Sequence, residues 1–261
     1  NFKKLNNKIT LTVSPQNYFD ADYKIFPLSG ISNSDTIYGN ENGYYSIYKS
    51  DRYGFNNPDG EWDSEEIEYL LVGDSFTHGA CVNRPDDISS VLRKLSDKSV
   101  LNLGYGGNGP LIEYATLREY LKPNVKKVLW IYFEGNDLGD LNREIENKIL
   151  KNYLTNLKFT QNLRAKQKKI DNLTRNTIEK DYIKSFRFIK LTEVRKKIKN
   201  LLAQKKINIT DENEIIVRNN KIKEILKLTK DLTIENNSKL YFIYLPNYYR
   251  YKNKQDNSNY S

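Results

Sequence analysis

Ser75 is the side chain in this 261-residue chain that is best placed to carry out chemistry. It belongs to residues 73–79, Gly-Asp-Ser-Phe-Thr-His-Gly, which directly follow the apolar residues 69–72, Tyr-Leu-Leu-Val. A strand that ends in Gly-Asp-Ser and leads into a helix puts the serine hydroxyl at the tip of a sheet, where an acyl-transfer nucleophile would lie. Such a serine needs a base, and the chain contains a single histidine, His78.

Two further loops follow the next two predicted strands. Residues 102–109, Asn-Leu-Gly-Tyr-Gly-Gly-Asn-Gly, expose backbone N–H groups, and residues 134–137, Glu-Gly-Asn-Asp, supply the Asn136 amide. Because the carboxyl ends of parallel strands meet at one edge of a sheet, the three loops should lie close together. A serine hydroxyl, backbone N–H groups and an amide are the parts of an acyl-transfer site, in which the donors hold the developing oxyanion.

Alternating strands and helices from residue 68 onward predict the sheet that positions these loops. The predicted strands are residues 69–72, 99–103, 125–133 and 239–245, and the predicted helices are 85–95, 111–121 and 211–235. The first helix should carry Ile88, Val91, Leu92 and Leu95 on one face. Apolar strands without polar alternation, joined by helices, indicate a parallel sheet that is covered on both faces. We therefore predict an α/β fold of three α/β/α layers, flavodoxin-like, with a parallel sheet.

Residues 1–63 and 141–210 depart from this pattern. Residues 1–63 are rich in Asn, Tyr, Ser and Asp and predict an irregular N-terminal extension packed on the main domain, residues 64–261. Residues 141–210 carry apolar residues at helical spacing and predict a helical insertion into that domain. The insertion has 19 Lys and Arg residues against 6 Asp and Glu, whereas the whole chain has a net charge of +9.

The basic character of residues 141–210 allows more than one interpretation. We favour the solvated face of amphipathic helices, and the alternative is a surface that attracts an acidic glycan or an anionic membrane. No recognisable motif supports binding to nucleic acid, so no nucleic-acid partner is expected. The single cysteine, Cys81, excludes an internal disulfide and a cysteine-based zinc site.

The three loops together resemble the SGNH hydrolases, also called GDSL-type esterases. Residues 73–79 are similar to the first sequence block of that family, residues 102–107 to the second, and residues 134–137 match the third loosely. The region that contains these blocks, residues 68–140, is about a quarter of the chain. The resemblance implies a serine esterase that needs no metal or organic cofactor. It would act on acyl groups, first of all acetyl, of a small-molecule or glycan ester.

The resemblance also implies roles for individual residues. Ser75 would be the nucleophile, and its backbone N–H, the Gly107 N–H and the Asn136 side chain would form the oxyanion hole. A closely related acyltransferase would use the same groups and is the alternative. An extracytoplasmic or membrane-tethered protein would fit the family, and a chain that starts at Asn1 and contains no Met fits a removed leader or anchor.

The last block of the family, Asp-x-x-His, has no match in this sequence. We expect the catalytic histidine to lie beyond Ser261, because the sequence stops soon after the strand 239–245 without another helix. His78 follows Ser75 by one helical turn, but no carboxylate is evident to orient it. We therefore interpret His78 as a partly buried or surface histidine. We interpret Asp74 as a structural residue of the loop.

Two other classes of function fit parts of the sequence. A non-catalytic binding module would keep the fold and use residues 141–210 as its working surface. A nucleotide-binding oxidoreductase would use Gly104, Gly106 and Gly109, which fit the pattern G-x-G-x-x-G between a strand and a helix. Pro110 argues against the second class, because it removes one N–H from the helix terminus that should hold a pyrophosphate.

Overall fold

The structure, a computed structural model, describes residues 9–19, 23–40, 43–188, 212–248 and 252. Within these ranges the strands are β1 (Ile9–Leu11), β2 (Asp35–Gly39), β3 (Ser46–Lys49), β4 (Ile67–Gly73), β5 (Val100–Asn102), β6 (Val125–Phe133) and β7 (Lys239–Leu245). The helices are α1 (Ser75–His78), α2 (Ile88–Ser96), α3 (Pro110–Tyr120), α4 (Asp137–Glu146), α5 (Lys148–Thr155), α6 (Gln167–Phe188) and α7 (Glu212–Glu235).

The main sheet has the strand order β5-β4-β6-β7, and all three neighbouring pairs are parallel. This confirms the predicted parallel sheet, and β6 and β7 have the predicted bounds. Strand β4 is longer than predicted, because it starts two residues earlier and ends at Gly73. The loops after β4, β5 and β6 therefore leave the same edge of the sheet.

Alternate residues of β4 lie on opposite faces of the sheet, and each face packs against helices. Leu70 and Val72 belong to the larger hydrophobic core, which also contains buried residues of α3, α5, α6 and α7. Leu71 belongs to a smaller cluster on the other face, against which Leu92 of α2 packs. The protein is thus a mixed α/β structure with helices on both faces of a parallel sheet, an arrangement compatible with three layers.

Helix α2 exposes most of the apolar face that the sequence predicted. Ile88 and Val91 are exposed, and Leu95 is 79% exposed, so only Leu92 packs on the sheet. The helix also begins three residues later than predicted. Asp87 is its N-terminal cap, and the Asp87 carboxylate accepts an N–H from the first turn.

The N-terminal extension is more regular than the sequence indicated. Strand β1 pairs in parallel with β2, and β2 pairs antiparallel with β3, so the extension forms a small sheet of its own. Phe26, Leu28 and Phe55 enter the larger core. Asp51 is fully buried and accepts a hydrogen bond from Trp62 Nε1 at 2.7 Å. The Asp51–Trp62 bond lies within the extension, whereas Phe26, Leu28 and Phe55 join the extension to the main sheet through a common core.

The first part of residues 141–210 also packs on that core. Leu150 and Tyr153 of α5 and Ile170 of α6 are fully buried in the larger cluster. The later part of the predicted helical insertion, residues 189–210, lies outside the described residues. In the described part of the chain, no helix is both long and apolar enough to cross a membrane.

Strand β7 forms one edge of the main sheet within the described residues. Its central side chains Tyr241, Phe242, Ile243 and Tyr244 are each 36–44% exposed. Successive residues of a strand point to opposite faces, so both faces of the sheet are apolar and open to solvent at this edge.

Candidate active site

Ser75 lies where β4 ends and α1 begins, as the sequence predicted. Asp74 caps α1, and its Oδ1 accepts the Phe76 N–H at 2.9 Å. The half-buried Ser75 donates its hydroxyl to Asp74 Oδ2 at 3.3 Å. The tight turn requires glycine at position 73, because a Cβ there would lie 2.2 Å from Thr77 Oγ1.

Asn136 reaches the same carboxylate from the neighbouring strand. It precedes α4 directly after β6, which pairs with β4. Its Nδ2 donates to Asp140 Oδ2 at 2.9 Å, and its side chain lies near enough to Asp74 to lower the pKa of that carboxyl group. The Ser75 hydroxyl and the Asn136 amide, predicted to work together, therefore both lie beside Asp74.

The glycine loop after β5 is hydrogen-bonded to α1 at one end and to α4 at the other. At one end Gly106 donates its N–H to His78 Nδ1 at 3.0 Å, and at the other Gly109 donates its N–H to Glu144 Oε1 at 2.6 Å. Gly107 lies between them with a φ of +88°, a conformation that favours glycine. Among the described residues no acceptor is assigned to the Gly107 N–H. Its backbone is therefore free to donate to a ligand at this edge.

His78 is completely buried, which corrects the expectation of a partly buried or surface histidine. The rings of Tyr38, Tyr48 and Tyr105 surround it, with ring centroids 4.9–5.1 Å away. Burial lowers the pKa of His78 to about 3, so the imidazole is neutral at pH 7. Its Nδ1 lone pair is already used by the Gly106 N–H. His78 is therefore a structural residue under the glycine loop.

Carboxyl groups lie buried beneath the loop that carries Asn136. Glu113 Oε2 accepts from Trp130 Nε1 at 2.5 Å, and Asp137 Oδ2 accepts the Phe133 N–H at 2.7 Å. Burial, and then repulsion from Asp74, raises the pKa of Asp137 to about 9. Burial, and then repulsion from Asp137, raises the pKa of Glu113 well above its usual range. Burial also raises the pKa of Asp74, and hydrogen bonds from Phe76 and Ser75 oppose this shift.

These carboxyl groups do not assemble a metal site. Among the described residues, no group of three or more His, Cys, Asp and Glu side chains is placed to hold a metal ion. Glu113 instead accepts a hydrogen bond from the Trp130 indole, and Asp137 accepts one from the Phe133 backbone N–H. These bonds hold the turn that carries Asn136 in place.

Glu144 occupies the helix terminus that a dinucleotide would need. Its carboxylate accepts the N–H groups of Gly109 at 2.6 Å, Leu111 at 2.9 Å and Ile112 at 3.4 Å. Pro110 has no N–H to offer. The protein thus caps α3 with its own Glu144 carboxyl group, so the first N–H groups of α3 are not available to a pyrophosphate.

The N-terminal extension reaches the glycine loop, which the sequence did not predict. A Cβ at Gly107 would lie 2.4 Å from Ser14 Oγ, and one at Gly106 would lie 2.4 Å from Tyr38 Oη. Gln16 Nε2 donates to Asp140 Oδ1 at 3.4 Å. Motif reasoning could not find these residues, because only tertiary folding brings them beside positions that are distant in the sequence.

Two clefts in the described structure lie away from Ser75. One, of about 280 Å³, lies between Tyr23 and α6, and the other, of about 340 Å³, lies between α3 and α7. Ser75, Gly107 and Asn136 are each half-buried at the sheet edge. The candidate site is therefore a polar surface around the Asp74 carboxylate.

No protein-family model, curated protein or solved structure matches this chain.

Proposed function

We propose that this protein is a serine esterase of the SGNH type, with a flavodoxin-like fold, that acts on ester-linked acyl groups. The observation that carries the proposal is that the Ser75 hydroxyl, which donates to Asp74 Oδ2, and the Asn136 amide both lie beside the Asp74 carboxyl group at the same edge of the sheet. In chain order the main sheet reads 2-1-3-4, and ligands of such sheets bind beyond the carboxyl ends of the strands where the order reverses. Here those strands are β4 and β6, which carry Ser75 and Asn136.

The proposed reaction uses these groups in two steps. Ser75 Oγ attacks the ester carbonyl carbon and gives its proton to a base, while Asn136 Nδ2 and the Gly107 N–H donate to the oxyanion. The alcohol leaves with a proton, and an acyl-serine remains. Water then attacks the acyl group and releases the carboxylic acid.

His78, the one histidine of the sequence, does not serve as the base in this proposal, because it is buried and already hydrogen-bonded. We therefore expect residues 1–261 alone to acylate slowly. Imidazole added to the solution should then act as a substitute base.

Acyl-enzyme trapping tests this proposal. The chain is incubated with p-nitrophenyl acetate, with and without imidazole, and the acetylated peptide is identified by mass spectrometry. We expect acetyl on the peptide that contains Ser75, more of it with imidazole, and none in Ser75→Ala. Ser90→Ala, which removes a half-buried serine of α2, is the matched control and should not change the labelling.

Two results would contradict the proposal. Acetylation that persists in Ser75→Ala would remove Ser75 from the reaction. Fast turnover without imidazole that is abolished by both Ser75→Ala and His78→Ala would make His78 the base and overturn its structural role. An acyltransferase would pass the trapped acetyl group to an added sugar faster than to water, so the fate of the acyl-enzyme separates the two activities.

The exposed lysines of α6 favour one other candidate, a non-catalytic module that binds polyanions. Lys168 and Lys169 are exposed, and no ion pair is assigned to them within the described structure. This candidate predicts binding to heparin that weakens with salt and survives Ser75→Ala. Binding without salt dependence would exclude it.

A further inference from the structure

The Asp74 carboxyl group contacts both helix α1 and the proposed nucleophile. Its Oδ1 accepts the Phe76 N–H at 2.9 Å, which caps the helix, and its Oδ2 accepts the Ser75 hydroxyl at 3.3 Å. Within the described ranges, no other acceptor is assigned to the Ser75 hydroxyl. A cap needs only one side-chain oxygen, so the second oxygen of Asp74 is available to the serine proton.

Asp74 Oδ2 lies within the reach that a general base requires. A base must be in hydrogen-bond contact with the proton that it takes, either directly or through one water molecule. The 3.3 Å between Ser75 Oγ and Asp74 Oδ2 is longer than the usual hydroxyl–oxygen bond, and catalytic hydrogen bonds tighten when substrate binds. The contact is direct, so the proton can pass without an intermediary.

Burial and the lack of a cationic partner keep this carboxyl group basic. Asp74 is 1% exposed, and no ion pair to it is assigned among the described residues. Burial raises the pKa of Asp74 because the charged form loses hydration, although hydrogen bonds from Phe76 and Ser75 oppose this shift. A carboxylate with a raised pKa takes a proton more readily than an exposed one.

The titratable groups that the described elements place around Asp74 are neutral at pH 7. Burial, and then repulsion from Asp74, raises the pKa of Asp137 in α4 to about 9. Burial also raises the pKa of Glu113 in α3 well above its usual range, and both Asp137 and Asp74 add to this shift. His78 of α1 is buried and uncharged. The negative charge of the group therefore resides on Asp74, which contacts the serine.

We propose that Asp74 is the catalytic base of the Ser75 site in this chain. Ser75 Oγ forms a bond to the ester carbonyl carbon while the Ser75 proton passes to Asp74 Oδ2. The carbonyl electron pair moves to the oxygen, and its return expels the alcohol, which takes the proton from Asp74. Water then attacks the acyl-serine and gives a proton to Asp74. The bond between Ser75 and the acyl group breaks, and Ser75 Oγ recovers that proton.

This inference rests on the proposed esterase function, and it agrees with slow acylation by residues 1–261. A carboxylate is a weaker base than imidazole, because its pKa lies further below pH 7. Added imidazole should therefore outperform Asp74 rather than act where no base exists.

Asp74→Asn separates a base from a structural residue. Asparagine caps a helix as well as aspartate does, so its Oδ1 can still accept the Phe76 N–H. Its amide group replaces Oδ2 beside Ser75 Oγ and cannot take a proton. Acetylation of Ser75 by p-nitrophenyl acetate is timed by mass spectrometry from about pH 5 to 8, with and without imidazole.

The wild type and the variant should differ in rate, in pH dependence and in their response to imidazole. Wild-type acetylation should rise with pH as Asp74 loses its proton, and then level off. Asp74→Asn should be acetylated about a hundredfold more slowly at pH 7 and should continue to accelerate with pH, because hydroxide is then its base. Imidazole should restore most of the lost rate, since the Ser75 hydroxyl is free to donate to it.

Asp87→Asn is the matched control, because Asp87 caps α2 in the way that Asp74 caps α1. Its Oδ1 accepts the Ser89 hydroxyl and the Ser90 N–H, and Asp87 is likewise 1% exposed. The substitution should leave the acetylation of Ser75 unchanged, with and without imidazole. A thermal melt of each variant shows whether the fold is intact.

The results separate this inference from the esterase proposal. Equally fast acetylation of Ser75 in Asp74→Asn would overturn the role of Asp74 and leave the esterase standing. A folded Asp74→Asn that is slow and is not rescued by imidazole would also overturn it, because Asp74 would then only position the serine. Wild-type acetylation that rises in proportion to hydroxide over the whole pH range would do the same without any substitution. No acetylation of Ser75 under any condition would overturn the esterase and its base together.

Discussion

His78 and Glu113 are titratable side chains that the fold holds in their neutral forms close to the Ser75 loop. Burial lowers the pKa of His78 and raises the pKa of Glu113, so each shift opposes the charged state. The stability that depends on neutral His78 is therefore lost as pH falls, and the stability that depends on neutral Glu113 is lost as pH rises.

Glu113→Gln should change how stability depends on pH. The folded chain keeps the Glu113 proton above pH 4.3, where the unfolded chain loses it, so stability is present at low pH and falls as pH rises. This loss amounts to about 1.4 kcal/mol per pH unit. Glutamine keeps an oxygen acceptor for Trp130 Nε1 and cannot ionise. Urea unfolding at several pH values between 5 and 7 gives the slope of the unfolding free energy against pH. This slope should be less negative in Glu113→Gln than in the wild type by about that amount, and an unchanged slope would refute the neutral Glu113.

His78→Asn should remove an acid-dependent loss of stability. The folded pKa of about 3 lies below the ordinary value, so this contribution is present above about pH 6.5 and is lost as pH falls toward 3. Asparagine can still accept the Gly106 N–H and does not titrate here. Between pH 6 and 4 the unfolding free energy of the wild type should fall by about 1.4 kcal/mol per pH unit more than that of the variant. Parallel pH curves would contradict the burial of a neutral imidazole.

At the scale of single residues, the sequence predicted the groups that belong to local motifs. Ser75, Gly107 and Asn136 each follow a recognisable strand, and their loops leave the same edge of the sheet. The burial of His78 was not predictable, because Tyr38 and Tyr48 come from a distant segment. The same holds for Ser14 beside Gly107.

At the scale of elements, the glycine loop and α4 offer a matched pair of substitutions. Gly107→Ala should destabilise the protein by about 1–2 kcal/mol or more, because its φ is +88° and a Cβ would meet Ser14 Oγ. Gly139→Ala should stabilise it by roughly 0.5–1 kcal/mol, because a Cβ there meets nothing within 4 Å and the residue is helical. Thermal melts of both variants measure the contrast, and equal melting temperatures would contradict it.

The strand and helix positions were largely predictable, because unbroken apolar runs and helical spacing mark them. The prediction for α2 was wrong about its first residue and about the burial of its apolar face, and both errors have a physical cause. Periodicity placed Ile88, Val91 and Leu95 on one face, but it does not say whether another element covers that face. The cap at Asp87 also shortened the helix through a side-chain hydrogen bond that competes with propensity.

At the scale of the whole molecule, the N-terminal extension is part of the core, so residues 64–261 alone should not fold. The truncation removes Phe26, Leu28 and Phe55 from the larger cluster. Burial of each stabilises by about 1.5–3 kcal/mol, and three together approach the total stability of an ordinary domain. Circular dichroism and NMR of residues 64–261 provide the test, with residues 1–261 as the control. A cooperative melt of the shorter chain would disprove the dependence.

The open edge at β7 bears on how this protein behaves at high concentration. Four large side chains are each 36–44% exposed on a strand whose outer backbone groups have no strand partner among the described residues. Edges of this kind are templates for pairing with another chain. Solubility in dilute buffer and tendency to precipitate should therefore be governed by this one strand more than by the net positive charge, which keeps molecules apart only at low ionic strength.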